Sequence, residues 1–202
     1  MALWLAAEKL ILASQSEVRR DMLVAAGIPV ETVPAEIDER AVEREHGELA
    51  PDEVALLLAR AKARAVSNRQ PGRLVVGADQ TLALGVQRFS KPSSRQAARQ
   101  QLFTLRGRTH ALHSGVALMR DGEILFAHCG TARLTMRHFS DEFLTAYLDA
   151  AGEAVTRSVG GYQLERTGIQ LFERIEGDHF TILGLPLLPL LAALREQNML
   201  SR

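Results

Sequence analysis

The chain has 202 residues, enough for one sizeable core or two small lobes, and its 24 Lys+Arg balance 24 Asp+Glu to a formal net charge of zero. That balance, with aromatics at only 5%, argues against a protein that works by neutralising a nucleic-acid backbone or stacking single strands. A single cysteine, Cys129, excludes an internal disulfide and an all-cysteine zinc site, and fits a reducing compartment.

The opening run Met1–Ala7 is apolar but short, lacks a basic leader and is interrupted by Glu8 and Lys9. It therefore reads as neither a signal peptide nor a membrane span. Residues 9–14 predict a buried strand, and residues 17–26 a helix in which Val18, Met22, Ala25 and Ala26 share a face before Gly27 stops it. Residues 29–34 predict a second strand, and Glu36-Ile37-Asp38-Glu39 a loop or strand end, because the apolar pattern breaks there. Residues 51–68 predict a strong helix. Pro51 suits its first position, Asp52 and Glu53 suit the positive end of its dipole, and Val54, Leu57, Leu58, Ala61 and Ala65 form the inward stripe.

Leu74-Val75-Val76-Gly77-Ala78 predicts a buried strand ending at Asp79, with Thr81–Leu84 as a second run beyond it. Residues 93–105 predict a helix. Runs at 110–120 and 123–136 flank Asp121-Gly122 and predict a β-hairpin. A helix near 140–150, a mixed segment at 155–184 and a C-terminal helix within the apolar run 183–194 complete the chain. That run is too short to cross a bilayer and holds Gly184, Pro186 and Pro189. No linker or internal repeat divides the sequence, so residues 1–202 are expected to form one domain of α/β class, with a long mixed sheet and flanking helices.

Five places can carry chemistry. Ser16 is placed to cap the first helix, whose free N–H groups, with Arg19 and Arg20 beside them, suit a phosphate; a capped helix with two solvated arginines explains the same residues. Lys62 sits four residues after Leu58 at the edge of the apolar stripe, where it either enters a cleft or lays its stem along the core. Asp79 follows a strongly apolar strand, where a carboxylate can take a proton from water, hold a divalent cation, or simply cap a turn. Lys91 stands before Pro92, which stiffens its backbone in an extended form. Glu165 follows Gly160-Gly161-Tyr162, a pattern that suits either ligand contact or a plain turn. The histidines lack metalloprotease spacing, and no Walker or dinucleotide glycine motif is present.

In order, Leu10-Ile11-Leu12-Ala13-Ser14-x-Ser16-x-x-Arg19-Arg20, Ile37-Asp38-Glu39, Ala59-x-x-Lys62-Ala63 and Val76-Gly77-Ala78-Asp79 resemble the motifs of the Maf family of nucleotide pyrophosphatases. Lys91-Pro92, Gly107-Arg108-x-His110, Ile175-Glu176-Gly177-Asp178 and Gly184-Leu185-Pro186 extend the resemblance over about residues 9–195. It implies an elongated mixed sheet of the inosine-triphosphate-pyrophosphatase type, with two lobes around a deep cleft. It also implies a cytoplasmic, often homodimeric hydrolase that cleaves a nucleoside triphosphate to the monophosphate and pyrophosphate with a divalent metal, magnesium or manganese. Carried over by motif, Asp79 is the proton acceptor, Ser16, Arg19, Lys62 and Lys91 hold phosphates, and Glu39 with Asp79 faces the metal.

Three departures from the commoner pattern concern the base. Gln80 follows Asp79 where many members have threonine, Glu165 stands where many have glutamine, and Val18 precedes the motif arginine. Val18, Gln80 and Glu165 are thus expected to set substrate preference, and the resemblance is nearer the branch acting on 7-methyl-GTP than the branch acting on dTTP and UTP. The rival readings are a dTTP/UTP pyrophosphatase of the same family and a nucleotide-binding regulator of cell division. Neither a nucleic-acid polymer nor a membrane is an expected partner.

Overall fold

The parallel strands β1 (Leu10–Ala13), β2 (Val30–Thr32) and β3 (Val75–Leu84) form one half of a seven-stranded mixed sheet. The other half is antiparallel: β5 (Thr109–Arg120), β6 (Glu123–Met136) and β7 (Phe172–Glu176) follow β3 in the order β2-β1-β3-β5-β6-β7, and β4 (Gln87–Phe89) pairs with β3 alone. The computed structural model describes residues 3–201; Met1 and Ala2 of the apolar opening run, and Arg202, lie outside the described residues. The hairpin turn carries positive φ at both Asp121 (52°) and Gly122 (78°), the geometry that matches the twist of the flanking strands. Near the ends of the chain, Trp4 bridges to Leu200 and Leu5 N–H donates to the Met199 carbonyl.

Helices α1 (Glu17–Ala25), α3 (Pro51–Ser67), α4 (Arg95–Leu105), α5 (Asp141–Ala151) and α7 (Leu187–Glu196) occupy the predicted helical segments. Two further helices are α2 (Glu39–His46) and the four-residue α6 (His179–Ile182). Asp38 opens α2 by accepting the Ala41 N–H at 3.0 Å, so Glu39 is the first residue of a helix and not part of a loop. Asp79 is not at a strand end either: β3 runs unbroken through it to Leu84. The break lies in its neighbours. β1 pairs with β3 only as far as Gly77, and β4 begins to pair at Leu82, which leaves the outer edge of β3 open over residues 78–81. The mixed segment resolves into three 3-10 turns between residues 152 and 171, then β7 and α6.

Side chains alternate across β3. On one side Gly77 and Asp79 meet α3, and Thr81 Oγ donates to the Pro51 carbonyl at 2.8 Å. On the far side Val76 and Ala78 join a core with Leu10, Leu12, Val116 and the α7 leucines, whereas Leu82 joins a second core with Leu102, Leu112, Leu134 and Tyr147.

Helix α3 lies unusually close to the sheet because of two glycines. A Cβ on Gly77 would stand 2.2 Å from the Ala59 carbonyl oxygen, and one on Gly115 would stand 2.3 Å from that of Ala55. Ala55, Ala59 and Ala63 recur every fourth residue and present the small face that this approach needs. Gly115→Ala is therefore expected to force α3 outward, at a cost of about 1–3 kcal/mol, the usual range for overpacking. Thermal melting followed by circular dichroism checks this, with a Tm drop of roughly 2–10 °C for a chain of this size. An unchanged Tm would mean that the helix can move away at no cost.

Candidate active site

The close seating of α3 brings Lys62 over the sheet. Its Nζ lies 2.6 Å from Asp79 Oδ1 and 2.6 Å from Glu39 Oε1, so the ammonium bridges the first residue of α2 and the middle of β3. The Lys62 and Asp79 side chains are each 13% exposed, while that of Glu39 is 48% exposed, so the cluster opens to solvent on the α2 side. Burial raises the pKa of Asp79 above the ordinary carboxylate range; Lys62 and Arg19 oppose that rise and Glu39 adds to it.

Arg19 approaches from the first turn of α1. Ser16 caps α1 as expected, accepting the Arg19 N–H at 3.4 Å. The guanidinium then turns inward. Its Nε donates to the Gly184 carbonyl at 2.8 Å, and its Nη1 donates to Ser14 Oγ at 3.1 Å and to the Ala78 carbonyl at 3.0 Å. Burial lowers its pKa, opposed by the negative charges of Asp79 and Glu39. Among the described residues Nη2 has no hydrogen-bond partner, so a rigidly held fork keeps two N–H groups for an anion. Arg20 is different: it is exposed and pairs with its neighbour Asp21.

Cations from α1 and α3 thus converge with two carboxylates at the open stretch of β3. The Maf-like protein family model matches residues 9–197. The chain belongs to the Maf-like protein family. Over the whole of both chains it is 58% identical to a protein of Nitrobacter winogradskyi named nucleoside triphosphate pyrophosphatase. It is 54% identical to the 7-methyl-GTP pyrophosphatase of Mesorhizobium japonicum, with 93% of this chain and 96% of that one covered. Among solved structures, the Ham1 protein of Staphylococcus aureus is 19% identical, covers 64% of this chain and 72% of its own, and gives a TM-score of 0.40.

Not every predicted residue of this Maf-like chain joins the cluster. Lys91 is exposed in the loop before α4, and Val18 packs against the first core. Gln80 follows Asp79 on the strand and so projects to the far side, where its amide nitrogen donates to Ser114 Oγ, Thr181 O and Ile182 O at 3.0, 3.2 and 3.0 Å. Glu165 is exposed on a turn after Gly160 and Gly161, both with positive φ (79° and 75°). That segment is anchored from beneath. His110 Nε2 lies 2.7 Å from the Tyr162 hydroxyl, Tyr147 donates to the Gly161 carbonyl at 3.1 Å, and Phe172 packs edge-on against Tyr162. Burial lowers the His110 pKa to about 4, so this motif histidine is neutral near pH 7 and holds the Glu165 segment in place.

Ser14, Ser114 and Gly184 were not singled out as contact residues from the sequence. Ser114 had a visible signal: it interrupts the alternating apolar series Leu112, Val116, Leu118 on one face of β5. Gly184 contributes a backbone carbonyl, which no side-chain pattern reveals.

Arg19→Ala is expected to weaken a non-hydrolysable triphosphate by about 10-fold or more, because a hydrogen bond to a charged group contributes ~1.5–3 kcal/mol, and to leave nucleoside affinity nearly unchanged. Calorimetric titration with both ligands separates the effects. Equal losses would mean that the arginine only ties Ser14 to Gly184.

Proposed function

We propose that this Maf-like protein hydrolyses a nucleoside triphosphate to the monophosphate and pyrophosphate, with Asp79 as general base. The observation that carries this reading is the Lys62 ammonium placed 2.6 Å from both Asp79 and Glu39, near the inward-turned Arg19. Arg19 Nη2 and the helix terminus at Ser16 bind phosphate oxygens, and Lys91 closes on the tail from its loop. Asp79 Oδ takes the proton of the attacking water, whose oxygen bonds to the α-phosphorus as the bond to the pyrophosphate oxygen breaks. Such a transfer needs positioning and charge neutralisation, and no covalent intermediate.

The two carboxylates suit a hard divalent cation. Each uses one oxygen on Lys62, and among the described residues the other oxygen, Asp79 Oδ2 or Glu39 Oε2, has no hydrogen-bond partner. Magnesium or manganese is commonly held by one or two carboxylates plus water and phosphate, so Glu39 and Asp79 are the residues to hold it. Bound there, it would neutralise phosphate charge and polarise the reacting phosphorus.

The finer reading is a guanine-type substrate, 7-methyl-GTP, with Val18, Gln80 and Glu165 on the base side. The name of the Mesorhizobium japonicum relative supports it, as does the acceptor character of Glu165, which suits the N–H donors of a guanine edge. A free nucleotide in the cytoplasm, rather than a nucleic-acid polymer, fits the zero formal net charge, and no helix among the described residues is long and apolar enough to cross a membrane. A homodimer follows the family resemblance.

Pyrophosphate release from 7-methyl-GTP, GTP, dTTP and UTP, with chelator and then with added magnesium or manganese, tests the whole. Expected are no turnover in chelator, recovery with either metal, and the highest kcat/KM on 7-methyl-GTP. Faster turnover of dTTP or UTP would transfer the chain to the pyrimidine-favouring reading. Nucleotide binding without pyrophosphate release would favour the regulator.

A further inference from the structure

The two cores on the far side of the sheet are separated by a polar row. Along β3 the far-side series runs Val76, Ala78, Gln80, Leu82; along β5 it runs Leu118, Val116, Ser114, Leu112; and Gln80, Ser114 and Gly130 are register partners across three strands. Helix α6 crosses this row. A Cβ on Gly130 would stand 2.8 Å from Thr181 Oγ, so that strand offers the helix space and no side chain. Asp178 Oδ2 caps α6 by accepting the Thr181 N–H at 2.8 Å and its hydroxyl at 3.0 Å.

Ser114 lies at the centre of the row and is fully buried. Its hydroxyl donates to the Thr181 carbonyl at 2.7 Å, so toward Gln80 it can only accept. The carbonyls of Thr181 and Ile182 likewise only accept. Three acceptors therefore surround one end of the Gln80 side chain, and that end must be the NH₂ group. The amide oxygen has no hydrogen-bond partner among the described residues, and it is not among the buried polar atoms left unpaired. It is the only polar end of Gln80 left for a ligand. Two residues beyond Ile182, the Gly184 carbonyl receives Arg19 Nε, so one short segment is fixed by the base-side glutamine and by the phosphate-side arginine.

We propose that Ser114 is a positioning residue for base selection: by anchoring both the Gln80 amide and the Thr181 carbonyl to β5, it makes Gln80 an obligate acceptor toward the nucleotide base. The inference rests on the reading of Gln80 as a base contact. A base presenting an N–H at this point is favoured, and one presenting a carbonyl is rejected, because turning the Gln80 NH₂ outward would set its amide oxygen against the Thr181 and Ile182 carbonyls.

The test measures kcat/KM for 7-methyl-GTP and UTP in wild type, Ser114→Ala, Gln80→Ala and the double variant, with the melting temperature of each. Ser114→Ala is expected to reduce the 7-methyl-GTP/UTP ratio by about five-fold, the scale of one hydrogen bond, mostly through KM. In the Gln80→Ala background the same substitution should leave the ratio unchanged, which a purely structural role would not produce. If Gln80→Ala collapses the ratio and Ser114→Ala does not, the role of Ser114 is overturned and the substrate reading stands. A wild type with no preference, or a ratio that Gln80→Ala leaves intact, overturns both. Equal losses on both nucleotides in Ser114→Ala would reduce Ser114 to a packing residue.

Discussion

Asp79→Asn is expected to lower kcat by ~10²–10⁴-fold, the usual cost of losing a general base, while the protein stays folded. The variant keeps the shape of the side chain and removes the charge that burial already disfavours at this position. A carboxyl whose pKa is raised on folding binds more protons in the native state than in the unfolded chain. Its contribution to stability is then fully present below the unfolded pKa and is lost as the pH rises through the folded one. Above that window Asp79 is a charge retained at a cost to folding, so the Asn variant should melt within a few degrees of wild type near neutral pH. Activity has the opposite dependence. Only the ionised carboxylate accepts a proton, so wild-type kcat/KM should fall as the pH drops through the raised pKa, at higher pH than an ordinary aspartate would give. Stopped assays of pyrophosphate release across pH 4–9 check the rate statements, and thermal melting of the Asn variant checks its stability. A folded Asn variant with more than about a tenth of wild-type turnover would remove Asp79 from the chemistry.

The elements that follow one strict period were readable from the sequence. β1, α1, α3, α4 and the hairpin about Asp121-Gly122 each have a long apolar stripe or a turn that tolerates positive φ, and all appear where expected. Helix α2 was not readable: it spans Glu-Arg-Ala-Val-Glu-Arg-Glu-His and buries no residue, so no apolar face announces it. The continuity of β3 was hidden for a related reason. Polar Asp79, Gln80 and Thr81 break the apolar run, yet the antiparallel ladder with β5 carries the strand through them. The open edge at residues 78–81 depends on where β1 stops and β4 starts, which is a matter of tertiary pairing. One consequence was available without a structure: adjacent strand residues point to opposite faces, so Asp79 and Gln80 cannot both face α3. The convergence of Glu39, Lys62 and Arg19 was visible only as a resemblance, because it depends on α3 approaching the sheet at Gly77 and Gly115.

Lys62→Met should produce the second large loss, ~10²-fold or more in kcat/KM, the scale seen when one preorganised donor to a developing charge is removed. Methionine preserves most of the aliphatic stem, so the change is mainly the missing ammonium. Two effects follow from its position 2.6 Å from both carboxylates. The triphosphate loses a counter-charge, and Asp79 loses the larger of the two cationic influences that hold its pKa down, while Glu39 still pushes it up. The acid limb of the pH profile should therefore move to higher pH in Lys62→Met, and raising the pH should recover part of the rate. Asp79→Asn should show no such recovery, since it has no carboxylate to ionise. Because Asp79 then faces Glu39 with only Arg19 nearby, the Met variant is also expected to lose about 1–3 kcal/mol of stability, less than a fully buried pair would cost, since Glu39 is half exposed. Urea unfolding at two pH values gives that number. An acid limb that stays in place in Lys62→Met, with kcat/KM within about three-fold of wild type, would mean that the lysine neutralises neither the base nor the substrate.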